Sequence, residues 1–313
     1  MSPGDQSAGG SLKSPGITRQ QVLALIALTL MWGINWPMMK VAVRELPPLY
    51  LRGLTMFLGA CWLMLYFRYR GLRLWPDSPR EWRDIVLLGI PNIFILHTVS
   101  ILGIVSLSSG RAAILSYVFP VWTVVFGVVF MGQQLNKRVV IAVIAALLGI
   151  GLLISHELTA LQGKPIGVMW MEIGAISWAI GTLWMRRIRF TLPVQSLSVW
   201  MMLLSSPLII LLAVATETWP SWDVSPMAWG ALFYSVFVNY GFAQLIWFGF
   251  ARDLPSSTSA MSIMAVPLIG ALFATFMVGE WPHWQDYVAM VCVLTAIAAV
   301  LLPSRAKPVA SAE

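Results

Sequence analysis

Residues 92–120, N-I-F-I-L-H-T-V-S-I-L-G-I-V-S-L-S-S-G-R-A-A-I-L-S-Y-V-F-P, are matched without a gap by residues 239–267, N-Y-G-F-A-Q-L-I-W-F-G-F-A-R-D-L-P-S-S-T-S-A-M-S-I-M-A-V-P. The correspondence continues to residues 154 and 301 in one register. Matches among Leu, Ala and Phe carry little weight in an apolar chain, but coincident polar, Pro and Gly residues carry more. These are Asn92 with Asn239, Ser109 with Ser256, Pro120 with Pro267 and Gly132 with Gly279. The pattern indicates an internal duplication.

The composition places the chain in a membrane. It is 58% hydrophobic and 11% charged over 313 residues, with a mean hydropathy of +0.79, whereas soluble domains are about 25% charged. Each helical span needs about 20 largely apolar residues. The sequence therefore predicts an all-α polytopic membrane protein with ten transmembrane helices, at residues 20–39, 50–67, 84–105, 111–131, 139–155, 167–185, 195–214, 227–249, 257–278 and 286–302.

The predicted spans divide the chain into two five-helix repeats. We expect a disordered cytoplasmic tail at 1–19, the first repeat at 20–155, a linker at 156–166, the second repeat at 167–302 and a cytoplasmic tail at 303–313. The first span is too long for a removable signal peptide and is expected to stay. Cys61 and Cys292 both fall within spans, and neither a disulfide framework nor a metal motif is visible.

The basic residues predict how the spans are oriented, because cytoplasmic loops hold an excess of Lys and Arg. With the N-terminus in the cytoplasm, the cytoplasmic side holds fifteen of them: Lys13, Arg19, Arg68, Arg70, Arg73, Arg80, Arg83, Lys137, Arg138, Arg186, Arg187, Arg189, Arg252, Arg305 and Lys307. The other side holds Lys40, Arg44, Arg52, Arg111 and Lys164. This split favours ten spans with both termini cytoplasmic, and it leaves no basic patch for nucleic acid despite a pI near 9.7.

An odd number of spans in each repeat requires the second copy to cross the membrane in the opposite sense to the first. The loops agree, because the segment after the fourth span, 132–138, contains Lys137 and Arg138, whereas the segment after the ninth, 279–284, contains no Lys or Arg. The first and sixth spans also correspond, with W-G-I-N at 32–35 resembling W-A-I-G at 178–181. The repeats are therefore predicted to be inverted, which is typical of transporters whose site lies between the halves.

Three strings carry a family resemblance: L-M-W-G-I-N-W-P-M-M-K at 30–40, S-S-G-R-A-A-I-L-S-Y-V-F-P-V-W at 108–122 and A-V-P-L-I-G-A-L-F-A-T-F-M-V-G-E at 265–280. In order and spacing they resemble the drug/metabolite transporter superfamily, specifically its ten-helix EamA members. The resemblance covers about 20–302. One departure is Gln133, because the Gly-Glu ending common in the family is kept only as Gly279-Glu280. Any role that needs both carboxylates is therefore in doubt.

The resemblance implies transport, often outward, of a small organic solute, such as an amino acid or related metabolite, through a cavity formed by the first, third, fourth, sixth, eighth and ninth spans. It implies a multi-pass protein of the bacterial cytoplasmic (inner) membrane, a monomer or homodimer whose partners are the lipid bilayer and a small-molecule substrate, with no cofactor, metal or nucleic acid. Substrate identity, direction and coupling ion stay open.

Polar residues within spans are the candidates for substrate contact. Asn35 lies between Trp32 and Trp36 in the first span. A buried amide costs free energy unless it finds partners, so Asn35 and Trp32 either line the cavity or bond between helices. Trp178 corresponds to Trp32 in the second repeat and Tyr117 precedes Pro120; both are further candidates.

Asn92 and His97 in the third span correspond to Asn239 and Gln244 in the eighth, and Tyr240 adds an aromatic donor beside Asn239. Residues five apart are separated by about 140° on a regular α-helix, so one of each pair is expected at the cavity and the other at a neighbouring helix. Alternatively, both Asn side chains satisfy backbone groups near Pro91 or between helices. His97 is either a proton carrier or a neutral hydrogen-bonding group.

Arg111 begins the fourth span after Ser108 and Ser109. It could receive a substrate carboxylate or phosphate, or snorkel to the headgroups and anchor the span. Glu172 in the sixth span either exchanges a proton with the cavity or sits at the outer interface. Glu280 and Asp286 fall in or beside a loop, where a carboxylate needs no special account.

Pro120 and Pro267 occupy corresponding positions in the fourth and ninth spans. A proline within a span removes one backbone hydrogen bond and exposes a carbonyl, which is tolerated where other groups or a water-lined cavity satisfy it. Both are predicted to be hinges.

Two other classes of function are weighed against transport. One is a channel or structural membrane protein; a channel normally forms its pore from a ring of subunits or a filter loop, and no filter is visible. An intramembrane enzyme is disfavoured because the sequence contains neither G-x-S-x-G nor H-E-x-x-H. The nucleotide-binding sequence G-x-x-x-x-G-K-[ST] is also missing, so ATP is not expected to drive transport directly.

Overall fold

The computed structural model describes residues 18–159, 164–188, 190–247 and 256–301. Every regular element in these ranges is helical, which confirms the predicted all-α class for this part of the chain. Residues 1–17 and 303–313 of the predicted tails and residues 160–163 of the predicted linker lie outside the described residues, while Arg19, predicted to end the first tail, begins α1. The elements are α1 Arg19–Val43, α2 Pro48–Tyr69, α3 Pro79–Gly89, π1 Ile90–Ile95, α4 Leu96–Ser106, α5 Ser109–Ser116, α6 Phe119–Met131, α7 Lys137–Thr159, α8 Pro165–Arg187, α9 Val194–Thr216, α10 Pro226–Phe233, π2 Tyr234–Phe242, α11 Ser256–Val278 and α12 Trp284–Leu301.

Seven helical segments of the described chain are long and apolar enough to cross a membrane. Two shorter apolar helices, Ala265–Val278 and Trp284–Ala299, follow them in the second half. The seven segments are Arg19–Val43, Pro48–Tyr69, Pro79–Ser106, Ser109–Met131, Lys137–His156, Pro165–Arg187 and Val194–Thr216. They overlap the first seven predicted spans.

Helix ends follow local capping chemistry, which moves several boundaries outward from the apolar runs. The Thr18 hydroxyl accepts from the Gln21 N–H while the Gln21 side chain accepts from the Thr18 N–H, forming a capping box. Ser78 caps α3 through the Glu81 N–H, so this helix begins five residues before the predicted third span. At the other ends, Gly132 and Gly279 adopt φ of 65° and 69°, a left-handed conformation that glycine adopts without strain. This explains why the repeat keeps both glycines.

The closest packing joins helices of opposite repeats: α1 with α11, α2 with α9, α4 with α8 and α7 with α12. Glycines allow the close approach, as small residues do at membrane helix interfaces. A methyl group at Gly33 of α1 would clash with Ile269 of α11, and one at Gly103 of α4 would clash with Met171 of α8. The main hydrophobic core therefore runs between the two repeats.

Two π-helical segments interrupt corresponding spans of the two repeats. Asn92 lies in π1, and Asn239 and Tyr240 lie in π2. In a π-helix the hydrogen bonds run from residue i to i+5, so residues five apart follow one another along one face, and such segments occur frequently at functional sites. Asn92 and Asn239 lie in these segments, whereas His97 and Gln244 lie in the α-helical turns that follow them. The 140° separation predicted for a regular α-helix therefore does not hold for either pair.

The two prolines at corresponding positions of the repeats, Pro120 and Pro267, have different surroundings. Helix α5 ends at Ser116 and α6 begins at Phe119, so the fourth span is broken immediately before Pro120. Helix α11 continues through Pro267. The structure therefore places a helix break beside one of the two predicted hinges, while the other proline lies inside an uninterrupted helix.

Candidate functional site

Three side chains from three spans meet where the repeats pack together, and we call Arg52, His97 and Tyr240 the central cluster. Arg52 comes from α2, His97 from α4 and Tyr240 from π2. One terminal nitrogen of Arg52 donates to the Tyr240 hydroxyl at 2.7 Å. The His97 and Tyr240 rings meet edge-to-face with their centroids 6.0 Å apart. The cluster thus links the first repeat to the second.

The surroundings of Arg52 are unusual for a guanidinium. Its second terminal nitrogen contacts the Met39 sulfur, and its Nε is buried without a hydrogen-bond partner. The residue is 5% exposed. Within the described residues it forms no ion pair, although a buried charge normally has a partner.

Asn92 is satisfied locally. Its side-chain nitrogen donates to the Leu88 carbonyl at 3.0 Å, and its amide packs so closely on Gly181 of α8 that a methyl group there would clash. Beside it, the Ser177 hydroxyl donates to the Pro91 carbonyl at 2.9 Å. These contacts agree with the alternative in which the Asn92 side chain satisfies a backbone group. They also attach π1 to the second repeat.

The other predicted amides differ from Asn92. Asn239 is buried within π2, and Gln244 is half-buried in the helical turn that follows. Asn35 is also buried, and its side-chain oxygen has no hydrogen-bond partner. Nearby on α1, the Trp32 ring contacts Trp247 with centroids 5.3 Å apart. An unsatisfied buried amide oxygen keeps Asn35 a candidate for solute contact.

Aromatic residues surround the helix break before Pro120. Tyr117, at the end of α5, is buried. The Trp178 ring stacks on Phe119 with centroids 3.7 Å apart and planes 19° apart. The break is therefore held against α8 of the second repeat, as expected if it keeps its shape through packing rather than through helix hydrogen bonds.

Glu172 lies between α8 and α6. One carboxylate oxygen accepts from the Trp122 indole N–H at 2.9 Å, and the other is buried without a hydrogen-bond partner. No hydrogen bond or ring contact in the described chain joins Glu172 to His97. The two predicted proton carriers therefore lie at different helix interfaces: Glu172 contacts α6, and His97 contacts π2.

Arg111 has a partner that the sequence analysis missed. Its guanidinium pairs side-on with Asp286 of α12, with Nε to Oδ1 at 2.6 Å and a terminal nitrogen to Oδ2 at 3.2 Å. Both side chains are 8% exposed. Together with Ser108, Glu280 and His283 they line a cavity of about 250 Å³. Because the guanidinium is buried and paired, Arg111 does not snorkel to headgroups, and the prediction that Asp286 needs no special account is wrong.

Glu280 also links the repeats. Its carboxylate accepts from both the N–H and the hydroxyl of Ser109, each at 2.6 Å. Ser109 opens α5, so the carboxylate sits at the positive end of that helix. These hydrogen bonds give Glu280 a structural role that an ordinary loop carboxylate lacks. The corresponding residue of the first repeat is Gln133, so the first repeat has no carboxylate at this position.

Two further carboxylates accept hydrogen bonds from residues at the starts of helices in the opposite repeat. Glu217 accepts from the Leu49 and Tyr50 N–H groups at the start of α2. Glu45 accepts from the N–H and hydroxyl of Ser225, and these hydrogen bonds hold the pKa of Glu45 below its ordinary value of 4.5. With Ser109–Glu280 and Arg111–Asp286, we call these the four latch contacts.

Arg52 is the main residue that sequence reasoning overlooked. It lies within the predicted span 50–67, and a charged residue inside a span is a functional candidate. The charge distribution alone places Arg52 among the basic residues on the side opposite the cytoplasm. Among the described residues, no group of three or more His, Cys, Asp and Glu side chains could hold a metal ion.

Residues 20–155 and residues 165–302 each match the EamA-like transporter family. The chain belongs to that family. The match places one copy of the family unit on each repeat, in agreement with the duplication seen in the sequence. The chain is accordingly a multi-pass integral protein of the inner membrane, as predicted.

The relatives include proteins named as transporters in Bacillus subtilis and Escherichia coli. The chain is 22% identical over 280 residues to "Uncharacterized transporter YoaV" of Bacillus subtilis, covering 88% of this chain and 92% of that protein. It is 26% identical over 288 residues to "Uncharacterized inner membrane transporter YedA" of Escherichia coli, covering 89% and 90%. It is 25% identical over 289 residues to the "Probable amino-acid metabolite efflux pump" of Escherichia coli, covering 88% and 92%.

A solved structure titled "Crystal structure of protein" has the same fold. It superposes with a TM-score of 0.63 at 18% identity and covers 90% of this chain and 97% of that one. At this identity the likeness concerns the fold.

Proposed function

We propose that the protein is a secondary transporter that exports small organic metabolites, such as amino acids or related compounds, by alternating access around the central cluster. The observation that carries this proposal is the meeting of Arg52, His97 and Tyr240, because these residues come from both repeats. Tyr240 lies within π2, and His97 follows π1 directly. Inverted-repeat transporters bind their solute near the midplane at the contact between repeats. Family membership supports the same class of function.

The proposed arrangement has ten spans in two inverted five-helix repeats, with both termini cytoplasmic. The distribution of Lys and Arg supports this orientation. In this orientation the loop after Val278 is external, and so are all four latch contacts. A topology test would label single cysteines placed at Gln134 and at Trp281 with a reagent that does not cross the membrane. Only the second is expected to react from outside intact cells.

The latch contacts support a mechanism in which the repeats separate at one end. On the proposed topology they join the repeats at the external ends, which supports assigning this arrangement to a state closed to the outside. Opening to the outside would break Ser109–Glu280, Arg111–Asp286 and the two helix-start contacts, and would leave the inter-repeat packing at the other end closed. The break before Pro120 gives the fourth span a place to bend.

The proposed substrate class draws support from the relative named as a probable amino-acid metabolite efflux pump. Neither an enzymatic reaction nor a channel is part of the proposal, and the protein is proposed to act as a monomer or homodimer. The test is counterflow of labelled amino acids into liposomes that contain the purified protein and an excess of the unlabelled compound. Transient, saturable accumulation of label is expected; a channel would equilibrate the label without accumulation, and such a result would refute the proposal.

A further inference from the structure

We propose that Arg52 binds the carboxylate of the transported solute, with Tyr240 and His97 completing the site between the repeats. The inference rests on the proposed function and specifies its substrate class as small organic carboxylates. It begins from a charge that the protein leaves unmatched. Arg52 is 5% exposed, lies inside the first membrane-spanning turns of α2, and forms no ion pair in the part of the chain that the structure describes.

A second buried arginine shows what this fold does when the charge is structural. Arg111, which is 7% exposed, has Asp286 as a side-on partner. The two arginines are equally buried, yet one has a carboxylate and the other has a hydroxyl and a thioether. A buried cation gains most from a carboxylate in direct contact. We therefore infer that the carboxylate partner of Arg52 is supplied by a solute that binds and dissociates.

The geometry of Arg111 also indicates how a solute carboxylate would bind Arg52. Asp286 takes Nε and one terminal nitrogen of Arg111, which is the side-on arrangement that a planar guanidinium offers. On Arg52 the same edge carries the unpartnered Nε and the terminal nitrogen that contacts only the Met39 sulfur. Sulfur is a weak acceptor, so a carboxylate oxygen would replace it at little cost.

The opposite edge of Arg52 is fixed by Tyr240. The Tyr240 hydroxyl accepts from Arg52 at 2.7 Å, and the Tyr240 side chain packs against Gly59 of α2, where a methyl group would clash. This contact orients the guanidinium, and the hydroxyl proton stays available for a second solute oxygen. His97 lies edge-to-face against the Tyr240 ring, with the ring centroids 6.0 Å apart, and so packs beside the hydroxyl-bearing ring that Arg52 contacts.

Arg52 is not explained as an anchor at the membrane surface. It lies one helical turn after the start of α2, from where a long side chain could snorkel outward. Its guanidinium instead reaches Tyr240 in π2, between the repeats. Exposed Arg44, just before α2, is the nearby arginine that remains at the surface, and it provides a matched control.

The test compares amino acids with their carboxamides, for example leucine with leucinamide, across a panel of side chains. Purified protein in liposomes is assayed for inhibition of counterflow by each compound, and protein in detergent is assayed for thermal stabilisation. The variants are Arg52→Gln, Arg52→Lys and Tyr240→Phe, with Arg44→Gln as the control. Arg52→Lys keeps the charge but loses the side-on geometry.

The wild type and Arg44→Gln are expected to bind carboxylates at least about tenfold more tightly than the matching amides, since a hydrogen bond to a charged group accounts for a factor of this size. Arg52→Gln should lose that preference, and Arg52→Lys and Tyr240→Phe should each reduce it. The ratio of carboxylate to amide binding decides the question, because a purely structural Arg52 would change folding without changing the ratio.

Transport of amides or other solutes that lack a carboxylate as readily as carboxylates would overturn the carboxylate site and leave the transporter proposal standing. An unchanged carboxylate preference in folded Arg52→Gln would do the same. Should Arg52→Gln fail to fold, the preference in Arg52→Lys and Tyr240→Phe decides, and wild-type ratios in both would contradict the inference. If the folded wild type shows no counterflow with any compound of the panel and no stabilisation, the site and the proposed function both fail.

Discussion

The ion pair between Arg111 and Asp286 offers a quantitative test of how the repeats are held together. Both side chains are 8% exposed, and they belong to opposite repeats. We expect Arg111→Met to lower the free energy of unfolding by about 3 kcal/mol, because it leaves a buried carboxylate without its cation. The effect lies at the low end of the range for such pairs, since Asp286 keeps the His283 N–H at 2.7 Å.

The double variant Arg111→Met/Asp286→Asn should be less destabilised than the sum of the two single variants. Once both charges are gone, neither is left buried alone, so the coupling energy is expected to be at least about 1 kcal/mol. The assay is reversible unfolding of the purified protein in mixed micelles, followed by tryptophan fluorescence. The exposed pair Arg73–Asp77, with side chains 40% and 72% exposed, is the control, and its coupling should stay below about 1 kcal/mol because water screens it.

Additive effects at Arg111 and Asp286, within about 0.5 kcal/mol, would refute this reasoning. They would mean that the two side chains do not interact in the folded protein in the membrane-like environment.

Three further predictions concern packing, transport and pH. Gly181→Ala should lower the free energy of unfolding by about 1–3 kcal/mol by overpacking, whereas Gly151→Ala, which meets nothing within 4 Å, should be neutral or slightly stabilising by thermal unfolding. Asn239→Ala should reduce counterflow by about tenfold with normal membrane expression; normal transport would remove this residue from the site. The pKa of Glu45 is lowered by folding, so its stabilising contribution is present above pH 4.5 and is lost as pH falls through the lower folded pKa. The difference in melting temperature between wild type and Glu45→Gln should therefore shrink below pH 4.5, and a difference that is constant with pH would contradict it.

The fold followed from the sequence to a large extent because its signals are local and repeated. Apolar length predicts spans, and the register of the repeat matches Gly132 with Gly279, which the structure places at corresponding helix ends with positive φ. The π segments were not predictable by the same means. They arise when packing against another span stabilises an extra residue in a turn, and the sequence pattern around Asn92 and Asn239 is equally compatible with a regular α-helix.

The site was predicted less completely, for an electrostatic reason. His97 and Tyr240 were named from their polarity within apolar spans, and the structure brings them together. The roles of Arg52, Asp286 and Glu280 depend on which side chain lies opposite, in a helix far along the chain. A partner 175 residues away, as for Arg111 and Asp286, leaves no mark in the local sequence. The one signal in the sequence that pointed to a special role for Glu280 is its replacement by Gln133 at the corresponding position of the first repeat.

Alternating access around a site between the repeats requires that this site can be reached from each face of the membrane. A single cysteine at Asn239, in a chain with Cys61 and Cys292 replaced, would be labelled in oriented vesicles by a thiol reagent that does not cross the membrane. We expect labelling from both faces. After the outer ends are bridged through cysteines at Ser109 and Glu280, labelling should continue from the cytoplasmic face only. Labelling from one face in every condition, or from both faces after bridging, would contradict the account.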